Sequence, residues 1–456
     1  MIFFTLEFAC FFLVFLLVYW LALRFFGRAA QNLVLLGFNY ALILWVNPYF
    51  AVVVFIYSLF IYFSSILIVS FDSRICLAFC LSGALLNLCF FKYFPAIKDS
   101  FDFFFSLLGL DTAQLDFVFP LGLSFYTFAS ITYLHSVHKG GKCQDLASLL
   151  CYLSFFPTFI SGPIFRSRFF FLQLHSPRTI GHVGLIVALI IFGITKKVLI
   201  ANYLHIYSDP ILHNPSIYSP LSLLLGIYAY SIQLYCDFSG YVNLVAAFGL
   251  MLGFNLPKNF NMPYSAHNIK EFWARWHITL SHFIRDYIYI PLGGNRRGFF
   301  LAQVFVLIAF GLSGIWHGDT WNFLIWGLLH GLATIVLNIC RFLDLSLPRI
   351  LGALITFHFV TFAWLFFGIK ELQDSIFYIQ CFFTGDKSSM PSEWLALFLC
   401  GIAFFVYPYT RYSLRGLARL IESTPLLLQP LLVAAIIILV IGLSANGIPN
   451  FIYAGF

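Results

Sequence analysis

Between Pro210 and Pro257 the sequence carries a single charged side chain, Asp237, and between Phe299 and Cys340 only Asp319. Stretches this long and this apolar can fold stably only where water is absent. A helix that crosses a bilayer needs about 20 mostly apolar residues, and many uncharged runs here meet or approach that length. They are Phe8–Leu23, two within Gln31–Phe71 divided near Asn47-Pro48, Ile75–Phe91, Phe117–His138, Leu146–Phe165 and Thr179–Thr195. Pro210–Cys236, Phe238–Pro257, Phe299–Gly318, Thr320–Cys340, Ile350–Ile369, Trp394–Thr410 and Thr424–Phe456 complete the set. Composition agrees: 61% of residues are hydrophobic and 9% charged, against about 45–50% and about 25% in a soluble globular chain. So few charges could not cover a water-facing surface. The runs predict an all-α, polytopic integral membrane helical bundle of about 11–13 membrane segments. With no internal repeat and no dividing linker, residues 1–456 read as one membrane domain. Glu7 stands where a signal peptide would have basic residues, so the first run is expected to remain as a span.

The net charge of +7 is unevenly placed. Six cations (Lys258, Lys270, Arg275, Arg285, Arg296, Arg297) and two acids (Glu271, Asp286) fall between Lys258 and Arg297. A basic stretch beside membrane spans reads as cytoplasmic, or as a site for an anionic ligand. Pro257, Pro263, Pro291, Gly293 and Gly294 punctuate the same region. Such backbone is tolerated at membrane depth only when buried in protein or lining a water-filled cavity. Within it, Ile269, Phe272, Trp276, Leu280 and Phe283 recur at helical spacing and predict an amphipathic helix over Asn268–Ile288. No basic domain or motif points to nucleic acid. The ten cysteines show no C-x-x-C and no zinc spacing, so neither disulfides nor a metal are expected.

Ionisable groups inside apolar spans are costly and mark candidate functional sites. His317 lies in Gly314-Ile-Trp-His-Gly-Asp319, at the junction of two apolar runs, where an imidazole could exchange a proton near neutral pH. A helix-end packing role is the alternative. His330 follows thirteen residues later, about 20 Å away on an unbroken helix, and is expected to be a buried, hydrogen-bonded side chain. His277 shares a predicted helix face with Trp273, as Arg275 does with Thr279. Trp273 and Arg275 could grip a planar or phosphorylated ligand, or simply anchor a helix at the headgroups. Asp237 is expected to pair with Arg275, Arg285 or a buried histidine, in a structural or a catalytic role. Arg166 ends the broken Pro157–Pro163 segment, either at a membrane edge or lining a polar funnel. There is no G-x-S-x-G, H-E-x-x-H or P-loop, which removes serine-hydrolase, zinc-protease and ATPase readings.

These residues together resemble the membrane-bound O-acyltransferase family, in particular its alginate and peptidoglycan O-acetylation branch. The resemblance runs through Pro120–Tyr126, Phe156-Pro157 with Gly162-Pro-Ile164 and Arg166, and Lys196-Lys197. It continues in Tyr235-Cys-Asp-Phe-Ser-Gly-Tyr241, Asn259-Phe-Asn261, Glu271-Phe-Trp273, Arg275-Trp-His277, Ile290–Asn295, Trp316-His-Gly318 and Phe451-Ile-Tyr453. Ser136, His138 and Lys139-Gly140 stand where the family usually has an acidic residue and an aromatic before a basic-Gly pair.

The resemblance implies a central tunnel or funnel, with His317 and His277 as catalytic residues, His277 being the second motif histidine on the cytoplasmic side. It implies substrate or donor contacts at Tyr235, Asp237, Ser239, Asn261, Trp273, Arg275, Trp316 and Arg166. By family, the donor is expected to be acetyl-CoA, with no resident cofactor and no metal. The acceptor is an extracytoplasmic polysaccharide, peptidoglycan favoured over alginate, reached directly or through a periplasmic SGNH-type partner. The location implied is the bacterial inner membrane, among its lipids. D-alanyl transfer to teichoic acid and long-chain acylation of a lipid or protein stay open. A secondary transporter would share the spans and buried charges but predicts inverted repeats, which are not found.

Overall fold

A computed structural model describes residues 5–106, 118–384 and 390–443 of the chain. The described residues form helices joined by turns, with no strand among them. Nine helical stretches among them are long and apolar enough to cross a membrane. The chain divides into two compact units, Met1–Ile180 with Gly249–Leu256, and Gly181–Phe248 with Pro257–Phe456.

In the first unit, α1 (Leu6–Val46), α2 (Pro48–Phe71) and α3 (Arg74–Ser106) are the long helices. The expected division between Leu23 and Gln31 falls at Gly27, whose φ of 81° breaks the helical path of α1. Asn47 separates α1 from α2. Its side chain accepts from the Tyr49 amide at 2.9 Å, and Pro48 starts the new helix where no amide is needed.

Two expected spans are corrected. Phe117–His138 yields α4 (Leu123–His138), only 16 residues long. Leu146–Phe165 yields α5 (Leu146–Leu153) and α6 (Phe156–Phe159), because Pro157, Gly162 and Pro163 stop helix propagation. The short α7 (Ser167–Leu174) follows. Beside it, buried Arg178 bonds Gln31 Oε1 at 2.7 Å and Asn32 Oδ1 at 2.5 Å, and its guanidinium lies 5.0 Å from the Phe254 ring centre.

The second unit starts with α8 (Val183–Ile194), which runs through a wider π turn, Thr195–Ala201, into α9 (Asn202–His213). The predicted span ended at Thr195; the helix instead carries Lys196 and Lys197 onward. Next come α10 (Pro220–Met251), the short α11 (Ile269–Trp273), α12 (Ile278–Ile284) and α13 (Ile290–Leu292). The unit then continues through α14 (Phe299–His317), α15 (Trp321–Phe342), α16 (Arg349–Gly368), α17 (Leu372–Thr384), α18 (Pro391–Val406), α19 (Ser413–Ser423) and α20 (Gln429–Gly442). The Phe451–Tyr453 block lies outside the described residues.

Helices α14 and α15 form a tight antiparallel hairpin, and glycine is the reason. A side chain at Gly314 would strike the Phe323 carbonyl, and one at Gly327 would strike the Phe310 carbonyl and come within 3.2 Å of the Gly314 Cα. Small residues let helix backbones approach closely in lipid, where packing rather than water expulsion drives association. This crossing fixes the end of α14, and so the place of His317.

Candidate active site

His317 is the last residue of α14, and Gly318 leaves the helix in an extended conformation. The imidazole is buried among aromatic rings. Trp316 lies 4.5 Å from it, Trp326 5.0 Å at nearly a right angle and Phe367 5.1 Å, measured between ring centres. Trp326 also lies 5.1 Å from His330, so its indole is interposed between the two histidines. The chain does break between them, at Gly318–Thr320, so the 20 Å separation of a single helix does not apply. His330 is buried and hydrogen-bonded, as expected: the Trp273 indole N–H donates to its Nδ1 at 3.3 Å.

The predicted helix over Asn268–Ile288 is not continuous. Asn268 caps α11, which stops at Trp273, and His277 adopts a left-handed backbone with φ of 40° before α12 begins. Such a conformation is strained for a residue with a Cβ and persists only when its surroundings hold it. Here the neighbouring segment does so: Asn261 donates to the Arg275 carbonyl and Ile278 to the Asn259 carbonyl, both at 2.9 Å. Trp273 and His277 therefore do not share a helix face, nor do Arg275 and Thr279. Helical spacing carried no sign of a break imposed by pairing with the neighbouring segment.

Asn259 organises His277. Its side-chain oxygen accepts from the Thr279 amide at 3.2 Å, the Thr279 hydroxyl at 2.9 Å and His277 Nδ1 at 3.2 Å. The Nδ1 proton thus faces Asn259, leaving Nε2 as a buried lone pair with no hydrogen-bond partner among the described residues. Burial pushes the imidazole down to about 3, so it is neutral at pH 7 and a weak proton acceptor. Phe238 packs edge-on against it at 4.9 Å.

Neither Arg275 nor Arg285, two of the expected partners, pairs with Asp237. It forms a buried ion pair with Lys197, delivered by the π turn after α8. Arg275 pairs instead with Glu271 at 2.5 Å and holds Ser265 Oγ at 3.1 Å and the Asn261 carbonyl at 3.4 Å. Arg285 pairs with Asp286 at 2.7 Å. For both arginines the acid nearby in sequence supplies the partner. Asn261 is exposed, and its side-chain oxygen accepts from Lys258 at 2.9 Å. Half-buried Tyr235 joins Phe260, Tyr264, Trp276 and Tyr407 in an aromatic cluster with Lys196 over its face, and Ser239 is buried. Arg166 belongs to the first unit, at the start of α7.

A cavity of about 670 Å³ lies within the second unit. One wall is α12 with Ser281, one helical turn past His277; the other is α14 with Ala309, Phe310 and Ser313, the last one turn before His317. Trp273 lines it between them. Lys270, Arg285 and Arg341 stand on its exposed side. Lys270 is held below the usual lysine range, first by partial burial and then by the charge of Arg341. The cavity thus joins an apolar interior to a cationic mouth, flanked by the two elements that end and begin at histidines. Ser313 and the mouth residue Arg341 were not singled out from sequence: each looks like an ordinary helix residue until the hairpin brings them to one void.

Comparison with known proteins gives the same direction. Residues 132–372 match the model of MBOAT, the membrane-bound O-acyltransferase family. A peptidoglycan O-acetyltransferase of Helicobacter pylori is 35% identical over 321 residues, covering 63% of this chain and 60% of that protein's length. A Pseudomonas aeruginosa protein named probable alginate O-acetylase is 34% identical over 375 residues, 79% of this chain and 70% of the relative. A teichoic acid D-alanyltransferase of Bacillus subtilis is 31% identical over 279 residues, 55% and 69% of the two chains.

Proposed function

Because the chain belongs to the membrane-bound O-acyltransferase family, we propose that it is a multi-pass enzyme that transfers an acetyl group from a cytoplasmic thioester for O-acetylation of a cell-envelope polysaccharide. The observation that carries this reading is the cavity, cationic outside and apolar inside, which runs between the elements bearing His277 and His317. Acetyl-CoA matches it by chemistry: phosphates suit Lys270, Arg285 and Arg341, while the arm is slim and largely apolar. From Ser313 the thioester has about 6 Å left to reach His317, one turn of α14.

In the reaction His317 removes the proton from an acceptor hydroxyl as its oxygen attacks the thioester carbonyl. The carbon–sulfur bond breaks, an oxygen ester forms, and the proton passes to the leaving thiolate. The aromatic rings around His317 exclude water, which protects the thioester from hydrolysis. His277, neutral and strained, acts as a positioning residue for the loop at Asn259–Asn261 rather than as the base. The acceptor is the polysaccharide itself or a hydroxyl on an SGNH-type partner beyond the bacterial cytoplasmic membrane; peptidoglycan is favoured, as in the Helicobacter relative's name.

The test is transfer by the full chain reconstituted in vesicles, with labelled acetyl-CoA on the side of the cationic mouth and, in parallel, a D-alanyl carrier. Acetylation of polymer or partner from acetyl-CoA, with a KM raised by Arg341→Gln, is expected. Transfer from the D-alanyl carrier alone would overturn the choice of donor, and solute flux without transfer would overturn the enzyme reading.

A further inference from the structure

Buried hydroxyls in helices ordinarily donate to the carbonyl one turn back, and many in this chain do. Ser58 bonds the Val54 carbonyl at 2.7 Å, Ser130 that of Tyr126 at 2.8 Å, and Thr334 that of His330 at 2.9 Å. Ser313 does not. It is 3% exposed, and its Oγ has no hydrogen-bond partner among the described residues. Thr127, Ser231, Ser239 and Thr361 share that state, but of the five only Ser313 lines the cavity, and an unmatched buried hydroxyl facing a void asks for an explanation.

Its position supplies one. Ser313 lines the cavity at the α14 wall, four residues before His317 and so on the same helix face. Other polar groups of that lining are already engaged. The Trp273 N–H serves His330, Asn338 bonds Gln303 at 2.6 Å, and Ser281 Oγ donates to the carbonyls of Trp276 and His277 at 3.3 Å. The cations sit at the exposed mouth. Ser313 therefore offers a buried donor at the end of the cavity nearest the catalytic histidine.

We propose that the Ser313 hydroxyl donates a hydrogen bond to a carbonyl oxygen of the bound acyl thioester, setting the depth of its arm so that the reacting carbonyl arrives at His317. The ligand class is an acyl donor with carbonyl groups along a slim arm, and the proposal rests on the transferase reading above.

The experiment compares the parent protein with Ser313→Ala in vesicles supplied with labelled acetyl-CoA. Losing one neutral hydrogen bond should raise the donor KM by up to about tenfold. The same variant should unfold at or above the parent's temperature, because it deletes an unsatisfied buried hydroxyl. A purely structural serine could not give weaker donor use at undiminished stability. Ser313→Cys supplies a second reading: labelling of its thiol by a small maleimide should be slowed by acetyl-CoA. A parent that transfers acetyl groups, beside an alanine variant with the parental KM, overturns the inference alone. So does equally fast labelling of an active Ser313→Cys protein with and without acetyl-CoA. A parent that transfers nothing overturns the transferase reading, and this assignment with it.

Discussion

Replacing Gly327 with alanine tests whether the α14–α15 crossing, not merely the presence of His317, sets the activity. A methyl group there would collide with the Phe310 carbonyl and lie 3.2 Å from both the Cα and the N of Gly314. Both are backbone, so no side chain can swing aside; restoring ordinary contact requires the helices to part by roughly 1 Å. Overpacking of this kind costs about 1–3 kcal/mol. Because His317 closes α14 three residues beyond Gly314, the imidazole moves too, and a displacement of about 1 Å can cost about 10²-fold in rate. Gly311→Ala on the same helix is the internal control. Its methyl would meet only Leu328 and Leu324 side chains, at 3.6 and 3.8 Å, which is normal contact. Removing a helical glycine there should be neutral or add up to about 1 kcal/mol. Thermal unfolding and acetyl transfer are measured on the same nanodisc preparations. A Gly327→Ala protein that keeps the parent's rate and stability, or a Gly311→Ala protein that is equally damaged, would refute the role given to the crossing.

Other predictions follow from the buried charges. Lys197→Met strands the Asp237 carboxylate inside a span and should destabilise the protein by about 3–5 kcal/mol. Adding Asp237→Leu should return part of that loss; a double variant as unstable as the two single losses combined, measured by unfolding, would show that the ion pair carries no coupling. His277, pushed down to about 3 from an ordinary 6.5, refuses a proton that the unfolded chain accepts. Its contribution to stability is therefore intact above about pH 6.5 and lost progressively as pH falls towards 3. His277→Gln should flatten that part of the stability–pH curve, and an unchanged slope would contradict its burial as a neutral ring.

Much of the fold was readable because charge is so scarce. Once Asp237 and Asp319 are the only charges in two long tracts, helices in lipid follow, and Asn47-Pro48 marks a break by its own backbone chemistry. Reading failed where pairing with another segment decides, and where a partner close in sequence was passed over. Ile269, Phe272, Trp276, Leu280 and Phe283 keep helical spacing through His277, yet pairing with Asn259–Asn261 breaks the helix there. Lys197 gave no sign of burial, because the π turn that carries it inward has no signature in hydropathy. Arg275 and Arg285 were assigned to a remote acid while Glu271 and Asp286 stood beside them. The histidine motif itself was legible; the cavity one turn away was not, since it forms only where α11, α12, α14 and α15 meet.

Catalysis in this scheme depends on His317 acting as the base that frees an acceptor hydroxyl. The direct measurement is acetyl transfer by His317→Ala in the full-length protein, with unfolding temperature recorded alongside. Transfer should fall by about 10²–10⁴-fold while the unfolding temperature and membrane insertion match the parent. A stably folded His317→Ala protein that acetylates its acceptor at the parental rate would contradict the mechanism.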